Sequence, residues 1–291
     1  MINGLDHAII AVRDLDRASE QLQRALGLTV IPGGEHPGVG THNAVARFGT
    51  EYIELISVRY PEEAAASERG RVLLQFLKEK EGLFGFALGS DDLQMDVGEA
   101  VSRGLHLEGP FRGSRRRPDG TGMTWRTARL AEDPWGRRIP FLIQHDTPIQ
   151  ERRSLVPPEG HPLNCSGIPM VSVAVSDLDT SVEAYRRLLG CPPDLVEEVP
   201  ALPARRARFQ VASLKLDLLQ PQAEGGGLAD FVRQEGDGLF MLSLAVPDVD
   251  AAVRFLRERG TSVGNPTRPR RAPLLDHGQT LGARFQLVEG R

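Results

Sequence analysis

Apolar and polar residues fall into four copies of one pattern. An alternating apolar stretch leads to an acidic turn, then to apolar residues every three or four positions, then to a glycine. The copies are HAIIAVRDLD, in which Asp14-Leu15 leads to Gly27, and GFALGSDDL, in which Asp92-Leu93 leads to Gly104. They continue with MVSVAVSDLD, Asp177-Leu178 to Gly190, and MLSLAVPDVD, Asp248-Val249 to Gly260. The Asp-to-Gly spacings are 13, 12, 13 and 12 residues, so the copies group as two pairs. A period of two marks a half-buried strand, and a period near 3.6 marks an amphipathic helix. Each aspartate is placed to cap a helix by accepting free backbone N–H groups, and each glycine supplies a left-handed stop. Leu15, Ala18, Leu22 and Leu26 then share one helical face, as do Leu178, Val182, Tyr185 and Leu189.

Further alternating segments follow each helix: 43–48 and 52–58, 124–130 and 139–144, 206–211 and 214–219, and the shorter 272–275 and 283–289. The predicted unit is βαβββ, repeated four times. Gly-Leu-Phe at 82–84 and again at 238–240 ends the helix that joins the two members of each pair. The expected class is α+β, with four modules forming two paired-module open-barrel domains. The first spans 1–150, with modules 1–60 and 82–146. A linker at 151–166 carries Pro157, Pro158 and Pro162, and the second domain spans 167–291, with modules 167–221 and 238–291.

Composition narrows the function classes. Thirty-five basic against 39 acidic side chains give a net charge of −4, which argues against a general nucleic-acid binder. Two cysteines, Cys165 and Cys191, cannot build a disulfide framework, so a reducing cytoplasmic setting is expected. The opening residues lack a basic leader region and place Asp6 and His7 inside the apolar stretch, which reads against a secretory leader. No window approaches the ~18 uninterrupted apolar residues of a membrane span. Arg115-Arg116-Arg117 reads as a solvated loop, with an anion site as the alternative. The glycine-rich stretch 33–40 reads as a flexible rim loop, and His145 and His161 as structural.

GLDHAIIAVRDLDRASEQLQRALGLTV and HPGVGTHNAVARFGTEYIELISV resemble the vicinal oxygen chelate superfamily, in its glyoxalase-like branch. That superfamily includes glyoxalase I, bleomycin-resistance proteins and extradiol dioxygenases. The resemblance implies that paired modules build a cup holding a divalent metal. The ligands would be a histidine on the first strand of a module and a glutamate on its last.

In the first module those positions are His7 and Glu54. In the second they fall on Gly85 and, by the DPWGRRIPFL pattern, on Pro140. The second pair offers Met170, Asp217, Met241 and Gln286, of which Asp217 alone suits a metal. A closed site needs three or four protein ligands, which leaves His36, His42 or a partner chain to complete it. Strand parity places Asn43, Arg47 and Tyr52 on the cup side of the first module and Leu142 and Gln144 on that of the second. Arg47 is read either as an internal ion pair with Glu54 or as an anchor for a substrate carboxylate or phosphate.

Two functions remain open. One is a glyoxalase- or dioxygenase-type enzyme, with Zn, Fe, Mn, Ni or Co held by His7 and Glu54, or with Glu54 as a base on a carbon acid. The other is metal-independent sequestration of a small molecule, as in bleomycin resistance. The expected partner is a small molecule, with no nucleic acid or membrane, and the chain a monomer or homodimer.

Overall fold

All four acidic turns cap their helices: Asp14, Asp92, Asp177 and Asp248 accept the backbone N–H groups of Arg17, Met95, Thr180 and Ala251. Gly27 and Gly190 close the first and third of these helices at φ of 64° and 76°, where a side chain would be strained. The computed structural model describes residues 1–153, 156, 159–199, 202–264 and 273–290, except the side chain of Arg153. Pro157, Pro158 and Ala272 lie outside the described residues; of the strand predicted at 272–275, Leu274 and Leu275 make single bridges to Gln286 and Val263 rather than a strand.

The N-terminal half runs β1 (Ile2–Ala11), α1 (Leu15–Leu26), β2 (Ile31–His36), β3 (Thr41–Arg47) and β4 (Tyr52–Val58). After α2 (Pro61–Ala66) and α3 (Glu68–Glu79) come β5 (Gly82–Ser90), α4 (Leu93–Ser102), β6 (Glu108–Arg116), β7 (Gly122–Arg129) and β8 (Phe141–His145), then α5 (Ile149–Arg153). The second half repeats the order with β9 (Gly167–Ala174), α6 (Leu178–Leu189), β10 (Leu195–Val199), β11 (Ala204–Val211) and β12 (Leu214–Pro221). It ends with α7 (Gly227–Glu235), β13 (Gly238–Val246), α8 (Val249–Glu258) and β14 (Phe285–Glu289).

The eight N-terminal strands close into a barrel in the order β1-β4-β3-β2-β6-β7-β8-β5. The C-terminal strands form an open six-stranded sheet, β10-β11-β12-β9-β13-β14. Closure of the barrel depends on two strands that hydrophobic alternation does not announce. β2 and β6 meet where Glu35 pairs with Arg116. The stretch read as a glycine-rich rim loop therefore contains a strand, and the basic run read as a solvated loop ends one. At Gly34 a side chain would sit 2.3 Å from the Arg116 carbonyl, so glycine permits that approach.

The outward faces of both sheets and helices α1, α4, α6 and α8 share one apolar core, with Leu22, Phe86, Leu188 and Leu256 inside it. Each half also has an inner cluster. In the barrel, Leu73, Phe76 and Leu77 of α3 pack on Ile9, Ile56, Phe84 and Phe141 and fill one end of the interior. In the sheet, Leu228 and Phe231 of α7 pack on Ala174, Leu219 and Met241. His161 ties the connecting segment to the N-terminal half, accepting from the Thr29 N–H and donating to the Arg47 carbonyl. Among the described residues no helix is long and apolar enough to cross a membrane.

Candidate functional site

The end of the barrel interior not filled by α3 is a cavity of about 230 Å³. His7, Tyr52, Glu54 and Phe141 are buried at its floor, while Phe111 and Arg112 are exposed at its mouth. The parallel β1–β4 ladder pairs His7 with Tyr52 and Ile9 with Glu54, so alternation turns His7 and Glu54 inward on adjacent strands. His7 stacks on Tyr52 at 4.8 Å between ring centroids and meets Phe141 edge-on at 5.5 Å.

Glu54 is 5% exposed and is met from three sides. Asn43 donates to Oε1 at 2.5 Å, Nε2 of His7 lies 3.5 Å from Oε2, and Nε2 of His36 lies 3.8 Å from Oε1. Burial alone would raise its carboxyl, but His7, His36, Asn43 and Arg115 hold it below the usual range. It is ionised at neutral pH. Burial lowers the His36 imidazole to about 4 despite the pull of Glu54, so His36 is neutral there.

Behind this layer, Asp6 joins two histidines. Its Oδ1 lies 2.7 Å from Nδ1 of His7, its Oδ2 lies 2.9 Å from Nε2 of His145, and Arg152 approaches Oδ2 at 3.4 Å. Burial would raise Asp6, yet His145 and His7 drive it far below the carboxylate range. An ionised carboxylate only accepts, so Nδ1 of His7 and Nε2 of His145 carry the protons. Nε2 of His7 is thereby turned toward Glu54. Nδ1 of His145 remains an acceptor on the cavity wall with no partner among the described residues.

Four of the expected site residues line the cavity: His7, Asn43, Tyr52 and Glu54. Two do not. Arg47 pairs across the ladder with Tyr52 rather than Glu54, and its guanidinium lies 4.5 Å from the Tyr52 ring centroid and outside the cavity lining. It is neither the partner of Glu54 nor an anchor at this cavity. Gln144 points to the helix layer, accepting from the Leu93 N–H and donating to the Asp91 carbonyl. The parity of β8 is thus opposite to that expected, with Phe141, Ile143 and His145 inward and Leu142 in the outer core.

The same ladder corrects the fourth ligand position. Ala87 pairs with Phe141 as Ile9 pairs with Glu54, so Phe141 and not Pro140 stands opposite the first-module carboxylate. At Gly85 a side chain would lie 2.0 Å from the Trp135 carbonyl, so that position can hold no ligand. His36 enters the cavity and His42 does not. His145, read as structural, lines the cavity. Arg69, Arg115 and Arg129 also line it, and the alternation of β7 was a signal that could have placed Arg129.

The donor set suits a divalent cation in kind. Two imidazole Nε2 atoms flank an ionised carboxylate, and Asp6 and Thr41 engage the opposite Nδ1 atoms of His7 and His36, at 2.7 and 2.9 Å. Among the described residues, no three His, Cys, Asp or Glu are drawn together as a formed metal centre.

The family described as Glyoxalase-like domain matches residues 5–189, and the Glyoxalase/Bleomycin resistance protein/Dioxygenase superfamily matches 171–273. An ethylmalonyl-CoA/methylmalonyl-CoA epimerase from Cereibacter sphaeroides is 28% identical over 101 residues, 34% of this chain and 75% of the relative. A hypothetical protein from Staphylococcus aureus shares the fold over 98% of this chain and 99% of its own, at 16% identity and a TM-score of 0.69. Methylmalonyl-CoA epimerase from Mycobacterium tuberculosis aligns with 44% of this chain and 90% of its own, at 28% identity and a TM-score of 0.41.

Proposed function

The chain belongs to the glyoxalase-like domain family, and on that premise we propose that its N-terminal barrel is an enzyme centre acting on a small oxygenated substrate. The observation that carries this reading is the buried Glu54 carboxylate between the Nε2 atoms of His7 and His36 inside a closed barrel. His7, His36 and Glu54 would hold a divalent cation: Zn, Fe, Mn, Ni or Co. Such an ion, when bound, polarises the substrate oxygens.

The chain's own groups then divide the work. Glu54, held below the usual carboxylate range, is a weak base and serves better as an anionic ligand. The proton-moving group is His145. Asp6 fixes its Nε2–H, which leaves Nδ1 to accept a proton from substrate carbon and return it. Tyr52 and Asn43 position His7 and Glu54. A relative named as an epimerase supports an isomerase among the superfamily's reaction classes. The free cysteines suit a cytoplasmic setting.

The test is metal analysis of protein purified without an affinity tag, beside His7→Ala and Glu54→Gln. We expect a divalent ion in the wild type and none in either variant, with unchanged circular dichroism. A metal-free wild type that captures small ligands, unaltered by His7→Ala, would instead make the barrel a sequestering site of the bleomycin-resistance kind.

A further inference from the structure

The cavity wall opposite Glu54 carries more positive charge than the protein answers. Arg69, Arg112, Arg115 and Arg129 line it, against the single lining carboxylate of Glu54. Arg115 is 4% exposed, yet among the described residues its guanidinium hydrogen-bonds only the Met123 sulfur, at 2.9 Å, and its Nε has no partner. Arg129 gives Nη2 to Glu68 at 2.7 Å and leaves Nη1 without a hydrogen-bond partner among the described residues. Arg69 lies flat against Trp135, 3.7 Å from the ring centroid, with Nε likewise unpartnered. Burial and the neighbouring Arg129 lower the Arg69 guanidinium to about 10, outweighing the opposing pull of Glu54 and Glu68.

A buried, unpaired guanidinium is costly, and one without a structural partner points to a ligand that supplies the missing charge. Glu54 acts on Arg115 and Arg69 only at longer range, since Asn43, His7 and His36 surround its oxygens and, among the described residues, no arginine lies within ion-pair distance of it. The guanidinium fork matches carboxylate and phosphate oxygens two at a time. Trp125, Phe141 and Ile143 make the wall between the arginines and the floor apolar. At about 230 Å³ the space is below the ~300–1,000 Å³ of ordinary ligand pockets, which favours a small molecule.

We propose that the cavity receives a small organic acid whose carboxylate or phosphate sits on Arg115, Arg69 and Arg129, with its oxygen-bearing reactive end at Glu54 and His7. This rests on the reading of the floor given above and adds the class of substrate. The basic run at 115–117 is thus split by the strand: Arg115 turns into the cavity, while Arg116 turns out to Glu35.

Both tryptophans of the chain, Trp125 and Trp135, line the cavity, so intrinsic fluorescence reports its occupancy. Protein as purified is titrated with malonate, inorganic phosphate and uncharged dimethyl malonate, each against sodium chloride of matched ionic strength. We expect a saturable change with malonate or phosphate and none with the diester; which anion acts tells carboxylate from phosphate. Arg115→Met should weaken that binding about tenfold or more while melting no lower than wild type without anion. Arg69→Gln, which removes a second guanidinium from the same wall, should weaken it as well.

A response to the diester equal to that of malonate overturns the proposal, as does no response to either anion, or full-strength binding by both variants. Glu54→Gln separates the two readings. Loss of metal with equal diester binding would leave the floor as proposed and remove the acid pocket. Retained metal with normal anion binding would do the reverse.

Discussion

Glu54 and Asp217 occupy the same place in the two halves of the molecule and face opposite surroundings. Glu54 pairs with Ile9 across the β1–β4 ladder, and Asp217 pairs with Ser172 across β9–β12. The neighbouring positions correspond as well: Met170 stands where His7 stands, Arg206 where Asn43 stands, and Arg208 where Val45 stands. Around Glu54 are two imidazoles and an amide. Around Asp217 are two guanidiniums, with Arg208 in a fork of two 2.6 Å hydrogen bonds and Arg206 at 3.5 Å. One carboxylate keeps lone pairs facing exchangeable donors in a closed cavity. The other is neutralised on an open sheet, with Nη2 of Arg208 resting on the Met170 sulfur at 3.3 Å. The same scaffold position lines a cavity among imidazoles in one half and closes an internal ion pair in the other.

Exchanging the carboxylates for amides gives the largest contrast. Asp217→Asn removes one side of a buried fork and leaves Arg208 without its counter-charge. It should cost about 2–3 kcal/mol of stability, read by urea denaturation, and leave metal uptake unchanged. Glu54→Gln should lower metal affinity by more than about 100-fold, read by competition with a chromophoric chelator, with little change in stability. If Asp217→Asn lowers metal uptake as strongly, the ion lies in the C-terminal sheet and the contrast is wrong.

A smaller effect separates ligand from support. Asp6 touches His7 and His145 without lining the cavity, and the C-terminal half has Pro169 in its place before Met170. Asp6→Asn should reduce metal affinity about 10- to 100-fold by freeing the His7 ring, while the ion-to-protein ratio at saturation stays that of the wild type. Loss of the whole folded signal would instead show that Asp6 is chiefly a structural anchor for Arg152 and His145.

Strand parity decided which of these residues could be read from the sequence. Where a strand alternates cleanly, as in 7–12 and 52–58, the inward residues were legible, and Asn43, Tyr52, Glu54 and His7 are where alternation puts them. The helices were legible too, because capping and stop signals are local. Alternation failed at irregularities. The β1–β5 ladder shifts register between Ile9 and Ile10, and the Asp133 turn sets the start of β8 one residue later than the motif implies. One position is enough to exchange Gln144 for His145 at the cavity. Strands β2 and β6, rich in glycine and arginine, carry no hydrophobic pattern, so His36 and Arg115 became visible only once the barrel closed. Arg69, on a helix, reaches the cavity by a long-range packing no spacing encodes.

The smallest effect concerns the seam where the two halves meet. Oε1 of Glu51, at the start of the β4 hairpin arm, accepts the Ile168 N–H of β9 at 2.7 Å, and burial raises the carboxyl from 4.5 to about 7. A carboxyl raised in the folded state holds its proton after the unfolded chain has lost it. Its contribution is therefore full below about pH 4.5 and is lost as pH rises toward about 7. Glu51→Gln keeps the acceptor oxygen and removes the titration. It should match wild-type stability near the ordinary carboxylate range and exceed it by about 1–2 kcal/mol in mildly alkaline buffer, the full shift being discounted for partial exposure. Thermal melts of both proteins across that range read the difference. An equal offset at every pH would mean that water reaches Glu51, and that the halves meet through a wetter seam than their shared apolar core implies.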